Sequence, residues 1–241
     1  MSKIGGRAMV LAAGLGHRMR PLTLQTPKPL VKVAGKPIID YGFDALRAAN
    51  VETAIVNVHY LPDQVEAWAH RQTQPPRILI SDERAELLDT GGGVAKALAL
   101  LGNAPFFVLN SDSFWIESGE PALSRMRQAW NDAIMDCLLL VCPLDRCVGF
   151  DGRGDFTIDA KGVLVRRQAG DDKAVVYIGC YLVHPRIFAH AHSGAFSMNV
   201  LWNNAIAARR LYGIVHEGLW LHVGTPEAIP LAEAALKRRT P

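Results

Sequence analysis

The chain has 241 residues, 49% of them apolar and 20% charged, with a net charge of +3. That balance supplies one sizeable core and excludes a disordered, collagen-like or low-complexity chain. No run of about 18 apolar residues exists, so no membrane span is expected. The N-terminus lacks the charged and apolar regions of a secretory leader, and a cytoplasmic, monomeric protein is the expectation.

Lys237-Arg238-Arg239 is the one basic cluster. It is too short for a nucleic-acid face and reads as helix-end charge complementing a dipole. The cysteines at 137, 142, 147 and 180 match neither a Cys-x-x-Cys pair nor a zinc pattern. Free core thiols are expected.

Short apolar runs alternate with amphipathic stretches. Ala8–Ala12, Thr53–Val58, Ile78–Ile80, Phe106–Leu109 and Asp136–Val141 read as strands buried on both faces. Helices are expected at Pro37–Ala49, capped by Asn50, and at Pro62–Arg71, Gly92–Leu101 and Pro121–Asn131. This β-α-β-α order predicts a doubly wound, mostly parallel sheet. Asp155–Ile158, Val163–Arg166 and Val175–Val183 are strand-like and separated by Asp/Gly turns, which predicts a small antiparallel C-terminal extension. A helix at Met198–Arg209, a strand at Ile214–His216 and a last helix at Pro226–Arg239 follow. No repeat or linker interrupts 1–241, so the reading is one α/β domain with a lid-like C-terminal half.

The chemistry concentrates in Leu11–Leu30, LAAGLGHRMRPLTLQTPKPL. It follows a buried strand and gathers Gly14, Gly16, Arg18, Arg20 and Lys28. Glycines admit close approach of backbone N–H groups to a polyanion, and cations neutralise it. A Walker loop is absent. A dinucleotide fingerprint is excluded because Met19 follows Arg18 where a third glycine belongs. Residues alone give a phosphate-binding loop at a strand's carboxyl end.

The stretch Leu-Ala-Ala-Gly-x-Gly-x-Arg-Met-x-Pro-Leu-Thr followed by Pro-Lys-Pro-Leu resembles the signature of sugar-1-phosphate nucleotidyltransferases. Leu88-Asp89-Thr90-Gly91-Gly92-Gly93, Asn110-Ser111-Asp112 and Trp220-x-x-Val223-Gly224-Thr225-Pro226-Glu227 resemble that family's later motifs, in order. The resemblance covers about residues 7–230. It implies the nucleotide-diphospho-sugar transferase fold, with residues about 1–135 binding nucleotide and about 136–241 binding sugar phosphate. It implies transfer of a nucleotidyl group from a nucleoside triphosphate to a sugar 1-phosphate, with pyrophosphate leaving, Mg²⁺ as the only cofactor, and neither nucleic acid nor membrane as partner. UTP is the expected donor, with guanylyl transfer as the alternative. A nucleotide-sugar-binding protein without catalysis is the alternative of another class.

Roles carry over by position. Leu11, Ala12, Ala13, Gly14 and Gly16, with Thr90 and Gly91, are implied to hold the nucleotide. Arg18 is implied to grip the β- and γ-phosphates, Lys28 to neutralise charge at the α-phosphate, and Asp112 to ligate Mg²⁺. Two departures stand out. His222 occupies the place of the family's second metal-ligating aspartate. Arg166-Arg167 replace the Glu-Lys pair that faces the sugar phosphate, leaving Arg167, with Asn110, Asp155 and Asn199, as sugar-side candidates.

Overall fold

The computed structural model describes residues 4–171 and 173–238. In chain order, β1 (Arg7–Leu11) leads through three short 3-10 turns, the last at Lys28–Leu30, to a small hairpin of β2 (Lys32–Val33) and β3 (Lys36–Pro37). Then come α1 (Ile38–Ala48), β4 (Thr53–Val58), α2 (Pro62–His70), β5 (Arg77–Asp82), α3 (Asp89–Leu101), β6 (Phe106–Asn110) and β7 (Ser113–Ile116). The second half holds α4 (Ala122–Ala129), β8 (Cys137–Pro143), β9 (Cys147–Val148), β10 (Phe156–Ile158), β11 (Leu164–Arg166) and β12 (Val175–Val183). It ends with α5 (Asn199–Ala207), β13 (Leu211–Val215), β14 (Leu219–His222) and α6 (Ala228–Lys237).

The main sheet runs β5-β4-β1-β6-β12-β8-β13. Neighbours are parallel except at β12, which is antiparallel to both β6 and β8. The expected α/β architecture with a mostly parallel sheet is therefore observed. Alternation along each strand divides the core. Ala8 and Val10 pack with α1, α2 and α4, whereas Met9 packs with α3 and α5 on the other face.

Two expectations need correction. Val175–Val183 belongs to the main sheet and not to an appendage, since all but Tyr177 of its residues are buried. Only the β10–β11 hairpin extends from its start, through Phe156 opposite Val175. The C-terminal half is accordingly no lid, because β8, β12 and β13 share the sheet. The sequence reading also missed β7, β14 and β9, which form a separate three-stranded sheet under α6. β7 and β14 have four residues each and β9 two, too few for a strand period to show.

Boundaries shift for local reasons. Helix α1 ends where Asn50 adopts φ 53°. Val51 N–H then reaches Leu46 O at 3.0 Å and Asn50 N–H reaches Arg47 O at 2.9 Å, a Schellman closure. Helix α3 begins at Asp89, so the three glycines lie inside its first turns. The last helix covers Ala228–Lys237, and Arg239, placed in it from sequence, lies outside the described residues.

Candidate active site

From β1 the chain crosses to β4 and β5 on one side, then returns to β6 on the other. Strand order reverses between β1 and β6, and open α/β sheets bind ligands beyond such a point, at the carboxyl ends. A cleft of about 590 Å³ opens there. Its walls include Leu11, Ala12, Ala13, Gly14, Gly16, Arg18, Lys28, Thr90, Asn110 and Asp112. The glycine loop, the two cations and the carboxylate picked out from sequence thus share one cavity.

The signature loop is anchored before any ligand arrives. Met19 is fully buried, and Pro27 and Pro29 are buried on either side of Lys28. Thr23 Oγ1 donates to Gly16 O at 2.8 Å, and Tyr60 Oη donates to Thr23 O at 2.7 Å. Gly16 has φ +64°, and a Cβ there would lie 2.9 Å from Thr23 Cγ2. Only glycine satisfies both conditions. Ser111 Oγ donates to Leu11 O at 2.6 Å, tying the end of β6 to that of β1.

Lys28 Nζ lies 3.0 Å from Asp112 Oδ2, with side chains 11% and 30% exposed. Burial pushes the Asp112 carboxyl up, but Lys28, His222 and Arg18 together outweigh it and hold the group below its ordinary range. Asp112 is therefore a carboxylate at neutral pH. His222 stands beside it because β14 pairs antiparallel with β7, setting His222 opposite Ser113. Val223 N–H donates to Asp112 O at 3.2 Å. Burial, reinforced by Lys28 and Arg18, lowers the His222 pKa against the pull of Asp112 and Asp151, so the ring is uncharged at neutral pH and helps to hold the Asp112 carboxyl down only in acid, once it is protonated. Its Nδ1 is buried without a hydrogen-bond partner.

Mg²⁺ takes oxygen ligands and often uses one or two carboxylates plus substrate phosphates. Asp112 supplies one such carboxylate on the cleft wall. Among the described residues, no three or more His, Cys, Asp or Glu side chains are grouped so as to hold a metal ion by themselves. That donor set suits an ion shared with a phosphate substrate rather than a protein cage.

Other candidates lie elsewhere. Gly91 does not line the cleft: its N–H is spent on Phe196 O at 2.8 Å, and a Cβ would strike the Phe196 ring. It admits the 194–196 segment, not a base. Asp155, Arg167 and Asn199 also lie outside the cleft lining. Asp155 Oδ2 accepts from Tyr177 N–H at 2.9 Å, and Arg167 Nη1 donates to Gln168 O at 3.0 Å. Asn199 Oδ1 accepts from Arg166 Nη2 at 2.7 Å. Thr90 stays in the wall, its Oγ1 accepting from Met198 N–H at 2.9 Å.

Two residues escaped the sequence reading. Asn57 lines the cleft and Glu83 lies fully buried behind it. The available signal was an amide near the carboxyl end of the apolar strand TAIVNV, where ligands of such sheets gather.

A profile of the nucleotidyl transferase family matches residues 7–143. N-acetylmuramate alpha-1-phosphate uridylyltransferase of Caulobacter vibrioides is 47% identical over 98% of this chain and 99% of its own. The protein of the same name from Neisseria meningitidis is 33% identical over 95% and 97%. Among solved structures, the inositol-1-phosphate CTP transferase from T. maritima shares the fold, with a TM-score of 0.76, 16% identity and full coverage of both chains. With the signature loop, Lys28 and Asp112 gathered at the sheet's switch point, this chain belongs to the nucleotidyl transferase family, among its sugar-1-phosphate nucleotidyltransferases.

Proposed function

We propose that the chain uses Mg²⁺ to transfer the uridylyl group of UTP to N-acetylmuramate 1-phosphate, releasing pyrophosphate. The Lys28–Asp112 pair facing the glycine loop across one cleft carries the catalytic part of this reading. The substrates follow the relative that is 47% identical over nearly the whole chain.

A phosphate oxygen of the sugar substrate attacks the α-phosphorus of UTP, and pyrophosphate leaves in line. Positioning and charge stabilisation suffice for such a step. The backbone of Leu11–Gly14 and Gly16, with Thr90 opposite, cradles the nucleotide. Arg18 is exposed on the cleft wall, free to follow the β- and γ-phosphates as they depart. Lys28 is held between prolines and aimed at the reacting centre by Asp112; a fixed cation there stabilises developing charge without reorganisation. Asp112 would hold Mg²⁺, which neutralises phosphate charge when bound. His222, a neutral ring, would contact a phosphate or a bound water and leave the metal to oxygen ligands. Asn110 is the sugar-side candidate in the cleft wall.

The four free thiols suit a cytoplasmic setting.

The test is a matrix of the four nucleoside triphosphates against sugar 1-phosphates, read by pyrophosphate release with Mg²⁺. UTP with N-acetylmuramate 1-phosphate should give the highest kcat/KM. A clear preference for GTP with a mannose or heptose 1-phosphate would replace this reading by guanylyl transfer. Nucleotide binding with no pyrophosphate release from any pair would leave a binding protein.

A further inference from the structure

Behind the nucleotide loop lies a buried polar chain of three hydrogen bonds. Ala12 N–H donates to Asn57 Oδ1 at 2.7 Å. Asn57 Nδ2 donates to Glu83 Oε1 at 2.8 Å. Glu83 Oε2 accepts from Leu88 N–H at 3.3 Å. Asn57 is 2% exposed and Glu83 0%. Among the described residues no cation forms an ion pair with Glu83; its charge faces amide donors at the entry to α3, where the helix dipole favours an anion.

Both ends of this chain reach the cleft. Ala12 and Asn57 line it, and so do Leu87, Asp89 and Thr90 around Leu88. Buried carboxylates are costly and are rarely retained without a partner or a task. This one has both oxygens committed across the gap between β4 and α3.

We propose that Glu83, acting through Asn57, is a positioning residue that sets the spacing of the two nucleotide-holding walls. It touches no substrate. It fixes where Ala12 and the Leu88–Thr90 turn stand, and so preorganises the cleft for the nucleoside triphosphate. The proposal rests on the assignment of that substrate to this cleft. Gly93 belongs to the same device: a Cβ there would lie 2.8 Å from Glu83 Oε1 and 2.9 Å from Asn57 Nδ2.

Chemistry of the pair allows a decisive exchange. In Glu83→Gln, one acceptor becomes a donor and faces either Leu88 N–H or Asn57 Nδ2. In Asn57→Asp, two carboxylates meet. In the double variant Asn57→Asp/Glu83→Gln, the new carboxylate accepts from Ala12 N–H and from the new amide's NH₂ group. The oxygen of that amide accepts from Leu88 N–H. All three bonds return with amide and carboxylate exchanged.

UTP affinity of each full-length variant is measured by calorimetry, with KM for each substrate, kcat and thermal midpoint alongside, well below any unfolding. Each single variant should weaken UTP binding about tenfold or more, the scale of a lost hydrogen bond to a charged group. KM for the sugar 1-phosphate should stay within about twofold. The double variant should recover UTP affinity to within about threefold of wild type, a large favourable coupling. Gly93→Ala keeps every polar group and gains helix propensity, yet should weaken UTP binding several-fold. It decides the matter, with the double variant, if either single variant fails to fold.

Unchanged UTP affinity in the single variants or in Gly93→Ala overturns the proposal. So does a double variant no better than the sum of its parts, or an equal rise of KM for both substrates. Wild-type protein that binds no nucleoside triphosphate overturns the reading of the cleft and this proposal with it. Wild-type binding with indifferent variants overturns this proposal alone.

Discussion

Asp112→Asn separates electrostatics from folding at the reacting centre. The substitution keeps shape and removes one charge from a pair at 3.0 Å. At an effective dielectric of about 20, the attraction lost is about 5 kcal/mol. Desolvation of both groups offsets most of it. The amide oxygen still accepts from Lys28 Nζ, so the net stability loss should be about 1–2 kcal/mol. For a chain of this length that lowers the thermal midpoint by roughly 2–8 °C. Turnover should fall far more. An amide is a weak ligand for a hard cation, and it no longer opposes the charge of Lys28. A loss of about 10²-fold or more in kcat is expected, equal to about 2.7 kcal/mol or more of barrier.

The assay is pyrophosphate release at saturating Mg²⁺ and UTP, run well below the midpoint measured by circular dichroism. Acid adds a second reading. The Asp112 carboxyl is held below its ordinary value of 3.8 in the fold. Its contribution to stability is therefore complete above about pH 4 and is lost as pH falls through the lowered folded value. The gap in midpoint between wild type and Asp112→Asn should close on acidification within that range. Turnover near wild type at saturating Mg²⁺ refutes the assignment of Asp112 to the metal. A midpoint gap that widens below pH 4 refutes the account of its charge.

Other outcomes follow from the same site. Lys28→Met should depress kcat more than KM, because the cation acts mainly on charge that develops in the transition state; steady-state kinetics with both substrates checks it. Arg18→Ala should raise the dissociation constant for UTP as well as slow turnover, and a variant that binds UTP normally would remove Arg18 from the phosphates. His222→Ala should cost at least about tenfold less than Asp112→Ala if the ring merely contacts phosphate or water. His222→Asp should then remain active, with Mg²⁺ at least as good an activator as Mn²⁺. A Mn²⁺ or Co²⁺ preference that His222→Asp converts to Mg²⁺ would instead make the imidazole a ligand.

Why some of this was readable and some not is a matter of range. β4 was legible to the residue because near-continuous apolarity marks a strand buried on both faces, and β12 from the Asp/Gly turns that set it apart from its neighbours. Those turns also hid the place of β12, since they mark an antiparallel hairpin as readily as a strand inside the main sheet. Lys28, Arg18 and Asp112 stand in local motifs, which a sequence displays directly, and sheet topology brings those motifs to one cleft. Arg167, a cation in place of the family's lysine, and the polar Asp155 and Asn199 sit in a segment whose pattern departs from the family. There the residues serve one another: Arg166 binds Asn199 and Asn203 and stacks over Phe156 at 4.6 Å from its ring centre.

Glu83 marks the other limit. Glu83 and Leu88 are five residues apart, while Asn57 and Ala12 lie 26 and 71 residues upstream of Glu83. No periodicity links them. Only the pairing of β4 with both β1 and β5 sets the amide of Asn57 between the Ala12 N–H and the Glu83 carboxylate. A surface glutamate following a strand and a buried one spanning two loops have the same sequence signature. The difference is energetic and appears only in three dimensions, where a carboxylate removed from water must find its donors or unfold the protein. In this chain its donors are the Asn57 amide, which holds one wall of the cleft, and Leu88 N–H, at the turn into the other. The stability of the fold and the spacing of the site are therefore secured by the same two oxygens.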